Sequence, residues 1–191
     1  MGYNQLKSSA IDDLQLGAGM LVSEFDPASG TVDTANILLV TSGGFSFTDT
    51  PEYTDFGEDI DNCPKNTKEL KRITSREIKL SGTALNFDDE ALKMYMNITS
   101  STSITKGKKY IPSDTLDQSS FRDVWLLAEK SDGGAVAIKL MNTLNTSGFA
   151  LQTTDAEKGT SAFELTAHYT MTDKDVVPYE VYILDAATAA G

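Results

Sequence analysis

One histidine, one cysteine and a dense run of carboxylates are the side chains here whose types could do chemistry. His168 has no Cys or Ser partner at a diagnostic spacing, so neither a nucleophilic triad nor a zinc site is indicated. It is expected on the polar face of a strand. Cys63 stands next to Pro64 in a polar stretch, with no cation before Lys65 to activate it. The run from Asp55 through Glu58, Asp59 and Asp61 to Asn62 offers the hard oxygen ligands calcium takes, but Gly57 falls at the wrong place for an EF-hand loop. Asp55-Phe56-Gly57 also spells a kinase triplet, without the glycine-rich and catalytic-loop patterns that accompany it. Lys106-Gly107-Lys108-Lys109 lacks the preceding glycine of a phosphate-binding loop and reads as an exposed turn. Carboxylates are abundant, yet nothing singles out a pair for glycoside hydrolysis. The expectation is therefore no catalytic residue, no cofactor, no metal and no enzymatic activity.

The elements that would carry these residues are mostly strands. Short apolar runs bounded by Gly, Asn, Asp or Pro occur at Met20 to Phe25, Ile37 to Val40 and Phe45 to Thr48. The longer run from Arg72 to Phe87 changes the phase of its alternation twice, which predicts a long strand bent by bulges near Gly82. Strands resume at Val124 to Ala128 and Ala135 to Met141, with Gly133-Gly134 as a tight turn between them. Phe163, Leu165, Ala167, Tyr169 and Met171 alternate with polar residues and predict a half-buried strand. Phe149 with Leu151, and Val181 with Ile183, suggest two more. Trp125, beside Phe121 and Leu126, is expected to anchor the core.

A single α-helix is predicted over about 88–97. Asp88, Asp89 and Glu90 place carboxylates at its N-terminus, and Ala91, Leu92, Tyr95 and Met96 form an apolar stripe. The Ser/Thr/Lys-rich stretch from Thr99 to Lys109 suits a surface loop or short hairpin. Residues 1–17 read as an N-terminal arm, 18–185 as one domain, and 186–191 as a fraying tail. The segments Thr41 to Phe45 and Asn145 to Phe149 look alike, as a duplication or as two ordinary glycine turns.

With 191 residues, 40% of them hydrophobic, the chain can bury one ordinary core. Its 28 acidic and 16 basic residues give a net charge of -12, so phosphate backbones are repelled rather than gripped. The lone cysteine excludes an internal disulfide, and neither a leader nor a membrane-length apolar run is expected; the protein is expected to be made in a reducing cytoplasm. The charge is segregated. Between Ser8 and Pro64 there is no Lys or Arg but a series of carboxylates, after which Lys65, Lys68, Lys71, Arg72, Arg76 and Lys79 crowd together. Such segregation fits a solvated face that neutralises itself, and equally a head-to-tail interface in which acidic and basic surfaces of successive subunits meet.

The run from Tyr53 to Leu80, YTDFGEDIDNCPKNTKELKRITSREIKL, followed by SGTALNFD, strongly resembles a segment of the major tail tube proteins of long non-contractile bacteriophage tails. So does the ending: Gly148 to Thr153, Lys158-Gly159, Ala162 to Glu164, His168-Tyr169 and Asp175 to Glu180. With the opening Gly17 to Gly30, the resemblance spans nearly the whole chain. It implies a β-sandwich or barrel-like pair of sheets with one short flanking helix. It also implies hexameric rings that stack into a tube, each subunit lending strands to a continuous barrel around a lumen that conducts DNA. Further implied partners are a tape measure, a tail terminator and baseplate proteins, with a place in the virion tail after assembly in the host cytoplasm and no membrane contact. By the same resemblance, the stretch from Pro51 to Lys71 is the loop that reaches another subunit. Asp55, Glu58, Asp59, Asp61, Lys65, Lys68, Lys71 and Arg72 are then the candidate contact residues. The alternatives are the tube of a contractile tail or injection machine, which adds a sheath partner, and a monomeric β-sandwich binding module.

Overall fold

The computed structural model of the chain describes residues 17–186 together with Lys7, Asp12, Leu14 and Gln15. Most of the predicted arm and all but the first residue of the predicted tail lie outside these residues. The described chain is mainly β, with antiparallel pairing throughout and one α-helix. In order it forms β1 (Met20–Val22), β2 (Ile37–Leu39), β3 (Thr41–Asp55), β4 (Lys71–Ala84), α1 (Asp89–Met96), β5 (Thr102–Ile104), β6 (Gly107–Lys109), β7 (Arg122–Glu129), β8 (Ala135–Asn145), β9 (Ser161–Thr166) and β10 (Tyr179–Leu184).

Strands follow the path β2-β1-β7-β8-β9-β4-β3, with β10 also on β8 and β5–β6 as a separate hairpin. Strand β8 belongs to both halves of this path. Its residues from Ala135 to Leu140 lie between β7 and β10, while Leu144 and Asn145 pair with β9. The sheet folds over along β8, and the two halves close on one core. Leu21, Val124 and Leu140 enter that core from one half, and Ile78, Leu80 and Leu165 from the other. Burying side chains of this size is the main favourable term in folding. A second, smaller cluster lies on the far side of the β7–β8 half. There Trp125 is buried with Val22 and Leu127, and its ring meets Phe25 from the loop before β2 and Tyr182 of β10, each at 5.5 Å between centroids.

Helix α1 starts where its carboxylates predict. Asp88 caps it by accepting from the Ala91 N–H at 2.9 Å, and Asn97 ends it in the left-handed conformation at φ 52°. Its buried stripe is Ala91, Met94 and Tyr95, with Leu92 and Met96 only half-buried. The Thr99–Lys109 stretch forms the β5–β6 hairpin. Gly133, at φ 84°, makes the tight turn between β7 and β8.

Several elements differ from the sequence expectation. The Phe45 to Thr48 run is a small part of a strand of 15 residues, whose remainder is mostly Ser, Thr, Gly and charged residues. The bulge expected near Gly82 exists, but the extra residues are Gly43 and Gly44 on β3; a second bulge places Thr74 as the extra residue of β4. Gly82 is tightly enclosed: a Cβ there would stand 3.1 Å from the Phe163 ring and 3.0 Å from the Gly44 carbonyl, so a side chain would require both to shift. The alternation from Phe163 to Met171 outlasts its strand: β9 stops at Thr166, and Met171 is 95% exposed. Past Thr166 the chain stays tied to β4 and β8 through the Ala167 N–H to the Ile78 carbonyl, the His168 N–H to the Met141 carbonyl and the Asn142 side chain to the His168 carbonyl, but regular pairing ends. Phe149 and Leu151 are in a loop, touching the sheet only by the Gln152–Thr160 bridge, while Phe149 stacks on Tyr95. Thus Thr41 to Phe45 lies in a strand and Asn145 to Phe149 leaves one, so the two similar segments differ in structure.

Three asparagines hold the fold together where strands end. The side chain of Asn97 pairs with the backbone of Asn145 as a strand residue would, donating to its carbonyl at 2.8 Å and accepting from its N–H at 2.9 Å. Buried Asn145 donates to the carbonyls of Tyr95 (2.8 Å) and Gly148 (2.9 Å) and accepts from the Glu164 N–H (3.2 Å) and Ser147 Oγ (2.9 Å). Asn86 does the same for β2, accepting from the Val40 N–H and donating to the Leu38 carbonyl, each at 3.0 Å. Replacing Asn145 with Ala would strand buried donors and acceptors on three elements. Urea unfolding should then show a loss of roughly 3–5 kcal/mol. A loss below about 1 kcal/mol would mean that the network contributes no net stability.

Candidate functional site at the tip of the long hairpin

Strands β3 and β4 pair from Thr41–Ala84 out to Asp55–Lys71, whereas β9 accompanies β4 only from Lys79 to Ala84. Beyond Ile78 the hairpin is therefore a two-stranded ribbon with no further strand beside it. Such a ribbon has no core of its own and is marginal in isolation. All eight candidate contact residues lie at its end. Asp55 and Lys71 face each other as its last pair, Arg72 pairs with Thr54, and the other five belong to the connection between the strands.

The connection is tightly organised. Asp55 Oδ1 accepts from the Gly57 N–H at 2.9 Å, and its Oδ2 accepts from the Asn66 N–H at 2.7 Å, so one carboxylate spans the loop. These two backbone donors, with lesser help from Lys71 and Lys65, hold its pKa below the usual aspartate value. Gly57 is buried against Leu70 and Cys63; a Cβ would stand 2.8 Å from Leu70 Cδ1. Arg72 caps the turn at Lys68–Leu70 by donating to the Glu69 carbonyl at 2.8 Å, and Lys71 donates to Asn66 Oδ1 at 3.3 Å. Asn62 and Asn66 supply the left-handed residues that close the turn. Cys63 is half-buried, with its sulfur 3.5 Å from Thr67 Oγ1.

The acidic and basic runs, separate along the chain, are thereby folded onto one another. Asp55, Lys71 and Arg72 work within the tip, and Lys65 meets Glu58 at 3.8 Å as an exposed pair of little energetic weight. Asp59, Asp61 and Lys68 point outward with no ion pair among the described residues. Beside them stand apolar side chains that charge counting does not find: Tyr53, Phe56, Ile60 and Ile73 are each about half exposed. Their signal in the sequence is the spacing of large apolar residues inside an otherwise polar run. Tyr53 and Ile73 are cross-strand partners near the end of the ribbon, and Phe56 and Ile60 follow in the connection.

The remaining candidates are structural. His168 Nδ1 lies 3.1 Å from the Asn142 carbonyl, and its ring meets Phe121 edge-on at 5.2 Å. Lys108 reaches back to helix α1, donating to Asp89 Oδ2 at 2.7 Å. Among the described residues no group of three His, Cys, Asp or Glu is arranged to hold a metal ion, and no helix is long and apolar enough to cross a membrane. No protein-family model matches the chain, and no curated protein matches it.

Because the Asp55 pKa is lowered in the folded state, its clamp is complete at neutral pH. It is lost as pH falls below the ordinary value of about 3.9 and through the folded one. In NMR titrations the Gly57 and Asn66 amide signals should move together with a midpoint below that value and stay still in Asp55→Asn. A midpoint at or above about pH 4 would contradict the clamp.

Proposed function

We propose that this protein is the structural subunit of a phage tail tube, self-assembling into stacked hexameric rings around a lumen that conducts DNA. The observation that carries self-association is the outer edge of β3. This strand ends the sheet path, so among the described residues no strand pairs with the N–H and C=O groups of its 15 residues that β4 does not use. A long open edge is a standing invitation to pair with another chain. Pro51, within β3 opposite Arg76, is tolerated only at such an edge and leaves the stretch before it free for pairing. Edge strand β10 adds Val181 and Ile183, 53% and 74% exposed, on the face that continues the main core. A second copy would cover both features.

The tip of the ribbon is a second, separate contact. It projects in one direction and carries apolar side chains with outward Asp59, Asp61 and Lys68, which suits a heterologous junction between rings better than a self-complementary dimer. The long resemblance to tail tube proteins supplies the conduit reading. The net charge of -12 agrees with a channel that must not hold a polyanion. Tape measure, terminator and baseplate partners follow from that resemblance alone.

Electron microscopy of the concentrated protein, with light scattering for its mass, tests the proposal. Rings or hollow tubes are expected, with or without an added initiator complex. A strict monomer under every condition would favour a solitary binding module. Ile183→Lys should abolish assembly while changing stability by no more than about 0.5 kcal/mol, since the side chain is exposed. Changing Lys65, Lys68 and Lys71 together to Gln should impair stacking. Tubes that form at the wild-type rate in that variant would remove the tip from the interface.

A further inference from the structure

The face of the β3–β4–β9 half turned away from the core is made almost wholly of hydroxyl and carboxylate side chains where the three strands run together. Register fixes its rows: Ser46 lies opposite Ser81, Thr48 opposite Lys79 and Thr50 opposite Glu77, and on the other side of β4, Lys79 faces Thr166 and Ser81 faces Glu164. Where the three strands run together, it bears hydroxyls and carboxylates, and its apolar groups are no larger than Ala162. Among these rows the one cation is Lys79. That ammonium is held between two glutamates, 2.7 Å from Glu77 Oε1 and 3.3 Å from Glu164 Oε1. Glu164 is itself fixed by the Thr146 hydroxyl at 3.2 Å, and Thr146 also meets Thr166 Oγ1 at 2.8 Å. The glutamates raise the lysine's pKa, Glu77 foremost, so it stays charged and paired.

A solvated face of a sheet ordinarily mixes free lysines with glutamates. Here the single lysine is outnumbered and enclosed, and no aromatic ring offers a base anything to stack on. Both adhesive contacts that nucleic acids use, cation to phosphate and ring to base, are missing from a broad surface. We propose that this face lines the lumen, and that Glu77 and Glu164 act to mask Lys79 so that duplex DNA passes without being held. The proposal rests on the conduit reading and deepens it by naming the surface DNA meets.

The test uses assembled tubes and a short labelled duplex, scoring DNA that sediments with the tubes and resists nuclease. Wild-type tubes should hold none. Tubes of E77Q/E164Q should hold it, with affinity falling roughly a thousandfold between about 50 and 200 mM salt as the lysines of a ring engage phosphates. Adding Lys79→Gln to that pair should return retention to the wild-type level. Ser42→Lys, which adds a cation to the same face beside Thr83 and away from both glutamates, should also retain DNA and decides the matter if E77Q/E164Q does not assemble. Variant tubes that form normally and release DNA as freely as wild type would overturn the assignment of this face while leaving the conduit intact. Failure of the wild-type chain to form any tube would overturn the conduit reading, and this inference with it.

Discussion

The architecture depends on holding β8 at the point where it leaves one half of the sheet and joins the other. A strand that changes partners must expose N–H and C=O groups at the crossing, and buried groups of that kind are costly unless bonded. Asn97 and Asn145 meet the need. The first lends its side chain as a surrogate strand beside the second, and the second ties the end of the helix, the loop after β8 and the start of β9 into one node. Helix α1 is thus more than a cover over the core: its left-handed terminus is the device that seals the fold where two sheets diverge. Asn86 solves the same problem at β2, where the path would otherwise end in unpaired groups.

Much of this could be read from the sequence because burial imposes periodicity. The carboxylates before Ala91 and the turn at Gly133 follow from local physical rules and appear where expected, while the alternation expected from Phe163 to Met171 is realised only in its first part. The limits of β3 were not legible for a physical reason. Its outward residues are Ser and Thr, and half of its length is a ribbon without a core, so apolar alternation vanishes while pairing with β4 persists. The overrun to Met171 has the opposite cause. The side-chain pattern continues, but after Ala167 and His168 bond to β4 and β8 no regular ladder follows, and Met171 is left exposed. At the tip, the charged residues that segregate along the sequence come together in one loop, and Asp55, Lys71 and Arg72 also give that loop its shape.

Charge in this protein is therefore employed at three different levels. Within the tip, single carboxylates and guanidinium groups order a loop that has no apolar centre large enough to do so. At the surface of that tip, the few side chains left over are free to meet another molecule. Across the flat polar face, pairing removes a cation from circulation. The total of -12 describes none of these uses, because what matters is whether each charged group is spent inside the chain or left outside it.

The ribbon leaves the body on one side only, and its tip is ordered by bonds that exist before any partner arrives. Little conformational entropy remains to be lost when it docks. In the proposed tube, a filament of such subunits would be polar, with ribbons protruding at one end. The two ends would then elongate at different rates, and a molecule that stops growth at one of them would have no purchase on the other. On that proposal, the direction of assembly would follow from the length by which β4 outruns β9.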